Sequence, residues 1–125
     1  MAGSRAIIKS LATVTPTLPS WLWRYRIARG KLNIIGGDPG LGKSFLTLDL
    51  AARETTGAPW PDRPTEAREP GRVLLITAED GLADTVVPRL IAAGADLSRI
   101  DSLEAVENID EDGIETDSFN LELYR

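Results

Sequence analysis

Cysteine and histidine are both missing from this chain of 125 residues. The first absence excludes disulfides and thiolate metal sites. The second removes imidazole catalysis and the commonest metal ligand. Long apolar runs are missing too: Ala6-Ile7-Ile8 stops at Lys9 and Ser10, too short for a secretory core, and no run approaches membrane-spanning length. A cytoplasmic protein with no membrane partner is the expectation. Any chemistry must come from carboxylates, Lys, Arg, hydroxyls, backbone amides and a borrowed cation.

What is present suits one small soluble domain, with 42% hydrophobic and 26% charged residues. The net charge of −5 is unevenly spread. Residues 1–31 hold six basic side chains (Arg5, Lys9, Arg24, Arg26, Arg29, Lys31) and no acidic one. Residues 101–117 hold eight acidic side chains and no basic one. Such segregation marks either a subunit or nucleic-acid contact, or simply solvated faces and an acidic loop.

Residues 1–20 read as a poorly ordered leader, with Pro16 and Pro19 discouraging regular structure near its end. Residues 21–125 then form the domain proper. Trp21, Trp23 and Tyr25 alternate with Arg24 and Arg26, a pattern that either packs along a domain edge or stacks on bases.

Lys31-Leu32-Asn33-Ile34-Ile35 is β-rich and predicts a strand feeding the glycines that follow. Lys43 to Thr55 predicts a helix apolar around most of its circumference, hence buried. Residues 56–71, with four prolines and two glycines, predict a long loop. Val73-Leu74-Leu75-Ile76 predicts a strand covered on both faces.

A second helix should follow, carrying Leu82, Val86, Val87, Leu90 and Ile91 on one face. Pro88 requires it either to begin near Thr85 or to kink, since proline lacks the amide and clashes one turn back. Gly94 is the natural stop. Ile100 to Val106 is a weak third strand, and 107–118 read as an acidic loop. Alternating strands and helices argue an α/β protein with a parallel sheet and flanking helices.

Gly37-Asp38-Pro39-Gly40-Leu41-Gly42-Lys43-Ser44 satisfies G-x-x-x-x-G-K-[ST] at every fixed position, between an expected strand and an expected helix. The glycines let the backbone approach phosphate closely. Successive amides from Gly40 to Ser44 form an anion nest, and the helix dipole adds positive potential. Lys43 is expected to reach the β- and γ-phosphates, and the Ser44 hydroxyl to ligate Mg²⁺. The ATP-binding set therefore runs Gly37, Asp38, Pro39, Gly40, Leu41, Gly42, Lys43, Ser44 and Phe45. A dinucleotide fingerprint fails, because counting from Gly40 its third glycine would fall at Phe45.

Glu79 and Asp80 follow the 73–76 run, at the sheet edge where a parallel fold binds its ligand. Three roles compete. Glu79 polarises the attacking water, or Asp80 is a magnesium ligand, or both cap the next helix. Asn108 to Gly113 opens like a calcium loop, but Phe119 stands where the bidentate carboxylate is required.

Taken together, Trp21-Leu22-Trp23, Gly30-Lys31-Leu32, Ile35 to Ser44, Thr56 to Pro61, Val73 to Asp80, Arg89-Leu90 and Ala93 to Asp96 resemble RecA-like AAA-type ATPases. The likeness is to those related to plasmid hexameric replicative helicases of the RepA kind, over roughly residues 20–106. The resemblance implies a RecA-like P-loop NTPase fold and ATP with Mg²⁺. It places Glu79 as the water-activating glutamate beside Lys43. It also implies a homo-oligomer (a hexamer in the full-length family) that acts on DNA in replication.

Nothing after Glu79 fits the family's Walker B aspartate, so the resemblance further implies an N-terminal portion of such an ATPase, incomplete at the C-terminus. The competing classes are a P-loop small-molecule kinase and a remnant that binds nucleotide without hydrolysis.

Overall fold

The computed structural model describes residues 2–77, 80–110 and 113–118, with backbone alone for 107–110 and 114–118. The chain divides into two units, Met1–Ile34 and Ile35–Arg125.

In the first unit, regular structure among the described residues before residue 21 is limited to one 3-10 turn at Leu11–Thr13. Strands β1 (Trp21–Trp23) and β2 (Ile27–Ala28) then pair antiparallel, Trp21 opposite Ala28 and Trp23 opposite Ile27. The Arg26 amide donates to the Trp23 carbonyl at 2.9 Å across the turn, and the Arg29 amide to that of Ser20 at 2.8 Å at the open end. Tyr25 occupies the turn with φ +63°, a left-handed conformation that few non-glycine residues adopt.

The strand expected at 31–35 does not form. Leu32 and Ile34 are 89% and 83% exposed, and no ladder partner lies beside them among the described residues. A strand exists only through its neighbour's hydrogen bonds, and β-propensity alone does not supply them. The Asn33 side chain bonds instead to the preceding hairpin. Its Oδ1 accepts from the Ala28 amide and its Nδ2 donates to the Ala28 carbonyl, both at 3.0 Å. The side-chain amide thereby satisfies both polar groups of Ala28 much as a third strand would.

The second unit is built around helix α1 (Lys43–Thr56), bounded by Gly42 and Gly57, both left-handed. Its buried face is Leu48, Ala51, Ala52 and Thr55, spaced at three and four residues. Phe45 and Leu46 are exposed, so the helix is covered on one stripe rather than all round. Strand β3 (Val73–Leu75) is likewise covered on one face, with Leu74 60% exposed. It pairs in parallel with β4 (Ile100–Ser102), Val73 opposite Ile100 and Leu75 opposite Ser102.

The β3–β4 crossover carries a π-helical turn at Leu82–Val86 and helix α2 (Val87–Ala92). In that wide turn the Val86 amide reaches back to the Gly81 carbonyl at 3.1 Å, and the Val87 amide closes on Leu82. Pro88 consequently falls in the first turn of α2, where its missing N–H leaves no hydrogen bond unmade. The regular helix thus begins near Thr85 as expected, with Pro88 in its first turn, and the unexpected feature is the π-helical turn that precedes it.

Helix α2 ends as expected at Gly94 (φ +80°). There the Ala95 amide bonds the Leu90 carbonyl and the Gly94 amide that of Ile91, each at 3.0 Å, the paired bonds of a Schellman stop. The core joins Leu48 and Ala51 of α1 to Val86 and Leu90, with Val73, Leu75, Leu82, Ala95 and Ile100 packed around them.

Two further observations depart from expectation. The third strand occupies only the start of the 100–106 stretch. The segment expected as an acidic loop contains a hairpin, β5 (Ala105–Asp110) antiparallel to β6 (Gly113–Ser118), with Asp110 opposite Gly113. The expected loop at 56–71 is present, with no helix or strand from 58 to 72.

That loop is fastened to the far end of α1. Arg68 stacks over the buried Trp60 ring at 4.0 Å, pairs with Glu54, and donates to the carbonyls of Arg53 and Ala58 at 3.2 and 3.0 Å. Thr55, 1% exposed, accepts from the Asp96 amide at 3.2 Å and so ties α1 to the segment after α2.

Candidate functional site

The glycine loop runs directly into α1. Gly40 and Gly42 sit at φ +80° and +86°, where a side chain would be strained, and a Cβ on either would point into open space. These two turns bend residues 37–42 back so that Lys43 lies beside the start of its own loop. The Lys43 ammonium donates to the Gly37 carbonyl and, at 2.7 Å, to that of Asp38. The Leu46 amide closes the first helical turn on the Gly42 carbonyl at 3.0 Å. The amides ahead of Leu46 have no partner within the helix and face the N-terminal dipole end.

Pro39 to Phe45 line an open concavity of about 640 Å³, together with Arg89 from α2. A second cavity of about 310 Å³ is lined by Ser44, Thr47 and Leu48 of α1, Leu75 to Thr77 past β3, Asp80 and Val86. Ser44 borders both. Ser44 therefore stands where the loop concavity meets a crevice also lined by Thr77 and Asp80.

The fold brings together the loop, Ser44, Phe45 and Asp80; Glu79 lies outside the described residues. Among the described residues no side chain caps the turn starting at Leu82. Asp80 faces Arg89 instead, with an Nη1–Oδ2 distance of 4.0 Å.

The residue that sequence reasoning missed as a site member is Arg89. Its guanidinium sits 4.5 Å from the centre of the Phe45 ring, so one cation borders both Asp80 and the loop concavity. A lone arginine inside the apolar stretch Val86–Ile91 was the available signal.

The donors fit a nucleotide with a hard cation. Backbone amides, a lysine and an arginine suit polyphosphate. A single hydroxyl and a single carboxylate suit Mg²⁺, which keeps water and phosphate oxygens as its other ligands. Among the described residues no group of three or more His, Cys, Asp or Glu could hold a metal alone. No helix among them is long and apolar enough to cross a membrane.

A parallel strand pair, a crossover helix and a glycine loop holding its own lysine at a helix N-terminus define a protein of the P-loop α/β class. Residues 5–120 match the family model described as an AAA domain. The chain belongs to that family of AAA-type P-loop ATPases. No curated protein and no solved structure matches it.

Proposed function

We propose that this chain binds Mg-ATP through Gly37 to Phe45 and forms the nucleotide site of a RecA-like ATPase. That ATPase would be of the replicative-helicase or mobile-element DNA-replication kind. The observation carrying the reading is Lys43, drawn into the loop by the Gly37 and Asp38 carbonyls at the mouth of a concavity that Ser44 shares with the β3 crevice.

In this reading Lys43 exchanges those carbonyls for β- and γ-phosphate oxygens. The loop amides hold the remaining charge. Ser44 would hold the magnesium ion through its hydroxyl, and the ion would offset phosphate charge there. Glu79, four positions after β3 in the sequence, orients water and takes its proton. A cytoplasmic hexameric ring on DNA completes the proposal, because ATPases of this kind finish their sites with groups from a neighbouring subunit.

Calorimetry with Mg-ATP tests the binding half. Lys43→Ala removes a charge-assisted contact to phosphate, so affinity is expected to fall on the order of 100-fold. Unchanged affinity in Lys43→Ala sinks the assignment. Glu79→Gln tests the hydrolytic half: it should retain Mg-ATP binding and lose turnover.

A further inference from the structure

The nucleotide reading leaves the β1–β2 hairpin unused, although its surface is chemically unusual. Three of the chain's seven aromatic residues fall within five positions here, Trp21, Trp23 and Tyr25. Two arginines lie on their rings: Arg24 at 5.1 Å from the Tyr25 centroid and Arg26 at 5.0 Å from that of Trp23. Trp21 meets Tyr25 edge-on, with centroids 5.8 Å apart and planes at 63°.

The tip residues Arg24, Tyr25 and Arg26 are exposed, Tyr25 by 72%. Arg29, also exposed, is braced on the Trp21 carbonyl by its Nε at 3.2 Å. The unit Met1–Ile34 contains six basic side chains and no acidic one.

The backbone adds an independent point. Tyr25 holds φ +63°, a conformation that glycine or asparagine enters more cheaply. A left-handed tyrosine at a hairpin tip spends strain and presents its ring to solvent. Strain of this sort gathers at binding and switch positions.

We propose that the β1–β2 hairpin is a contact surface for single-stranded nucleic acid. A base stacks on the Tyr25 ring, alongside or between it and the Arg24 guanidinium. Arg26 and Arg29 meet the flanking phosphates. Aromatic faces interleaved with cations are what an unpaired strand requires: each base offers a π-face whatever its sequence, and the backbone supplies regular negative charge.

Sequence selectivity is accordingly absent. An acidic face of a second copy would use the same cations but gives the exposed ring no task. The proposal goes beyond the nucleotide site and does not depend on it.

Fluorescence anisotropy of the full chain with a labelled oligothymidylate of 16 nucleotides tests it, in 50 mM salt without nucleotide. Binding is expected, with a log K against log salt slope of about −1.4 for two phosphate contacts. Tyr25→Gly suits the left-handed backbone and removes only the ring; it should weaken binding about tenfold, while Tyr25→Phe retains it.

Lys43→Ala should bind the oligonucleotide like the parent chain, which separates this surface from the nucleotide loop. Absence of oligonucleotide binding at low salt overturns the proposal, as does an unchanged affinity in Tyr25→Gly. Salt-sensitive self-association lost in Arg24→Glu/Arg26→Glu, without oligonucleotide binding, also overturns it and assigns the surface to a second copy.

Discussion

Replacing Arg68 by alanine should destabilise the second unit by about 3 kcal/mol, more than any single surface ion pair contributes. The side chains of Arg68 and Glu54 are only 11% and 18% exposed, so their pair is largely out of water. Breaking a fully buried pair costs about 3–5 kcal/mol because the remaining charge is stranded. The residual exposure here brings that to about 2 kcal/mol.

Loss of the stack on Trp60 adds about 1 kcal/mol. The carbonyls of Arg53 and Ala58 add little, since water replaces the guanidinium once it is gone. Arg68→Lys keeps the charge and loses the planar fork, so about half the effect is expected.

Urea unfolding followed by circular dichroism measures this, with constant m-values as the check on two-state behaviour. A double variant with Glu54→Gln should be less destabilised than the sum of the singles, because no carboxylate is then stranded. An Arg68→Ala chain within about 0.5 kcal/mol of the parent, the size of an ordinary surface substitution, refutes the argument. Additivity in the double variant would refute the stranded-charge part of it.

Arg89 borders the loop concavity, so Arg89→Ala should weaken Mg-ATP binding by roughly tenfold; an unchanged calorimetric affinity would restrict Arg89 to its contacts with Phe45 and Asp80. Leu90 is 2% exposed at the centre of the α1–α2–β3 core, and Leu90→Ala should cost about 2–5 kcal/mol in the same urea titration.

Asp96 has its carboxyl pKa lowered from 3.8, first by the Ser98 hydroxyl, which outweighs the opposing desolvation, and further by the Ser98 amide, Arg99 and Arg72. Its folded-state value is depressed, so its contribution is present above pH 3.8 and lost as pH falls through the lower folded value. Thermal melts should show Asp96→Asn less stable than the parent at pH 6, with the gap closing below pH 3.8.

The elements legible in the sequence were those whose signals are local. Helix α1 was marked by the glycine loop before it and by its density of apolar residues, although these are covered on one stripe rather than all round. The stop of α2 was marked by Gly94, and β3 by its uninterrupted apolar run. The segment 31–35 has equal β-propensity, but a strand is a relation between two segments and the second is not written in the first. Asn33 shows the competing outcome, a side chain completing hydrogen bonds that a neighbouring backbone would have made.

The β5–β6 hairpin was hidden by its acidity, although Asp112-Gly113 is a turn signal of the hairpin type. The β1–β2 turn was unreadable for the opposite reason. Tyr25 takes a conformation that turn rules reserve for glycine and asparagine. At the site, the loop was legible because its spacing is covalent. Arg89 was not, because only the packing of α2 against α1 sets it beside Phe45.

The hold of the loop carbonyls on Lys43 has a consequence for what can dislodge it. Two dipoles already solvate that ammonium, so an incoming anion must outcompete them as well as shed its own water. Chloride or acetate, with one charge, offers little surplus over a pair of carbonyls. A triphosphate offers several charges at fixed spacing and engages the loop amides in the same step. On the proposed nucleotide-binding reading, the loop would discriminate by charge density, quiet toward the dilute monovalent ions around it and responsive to a polyanion.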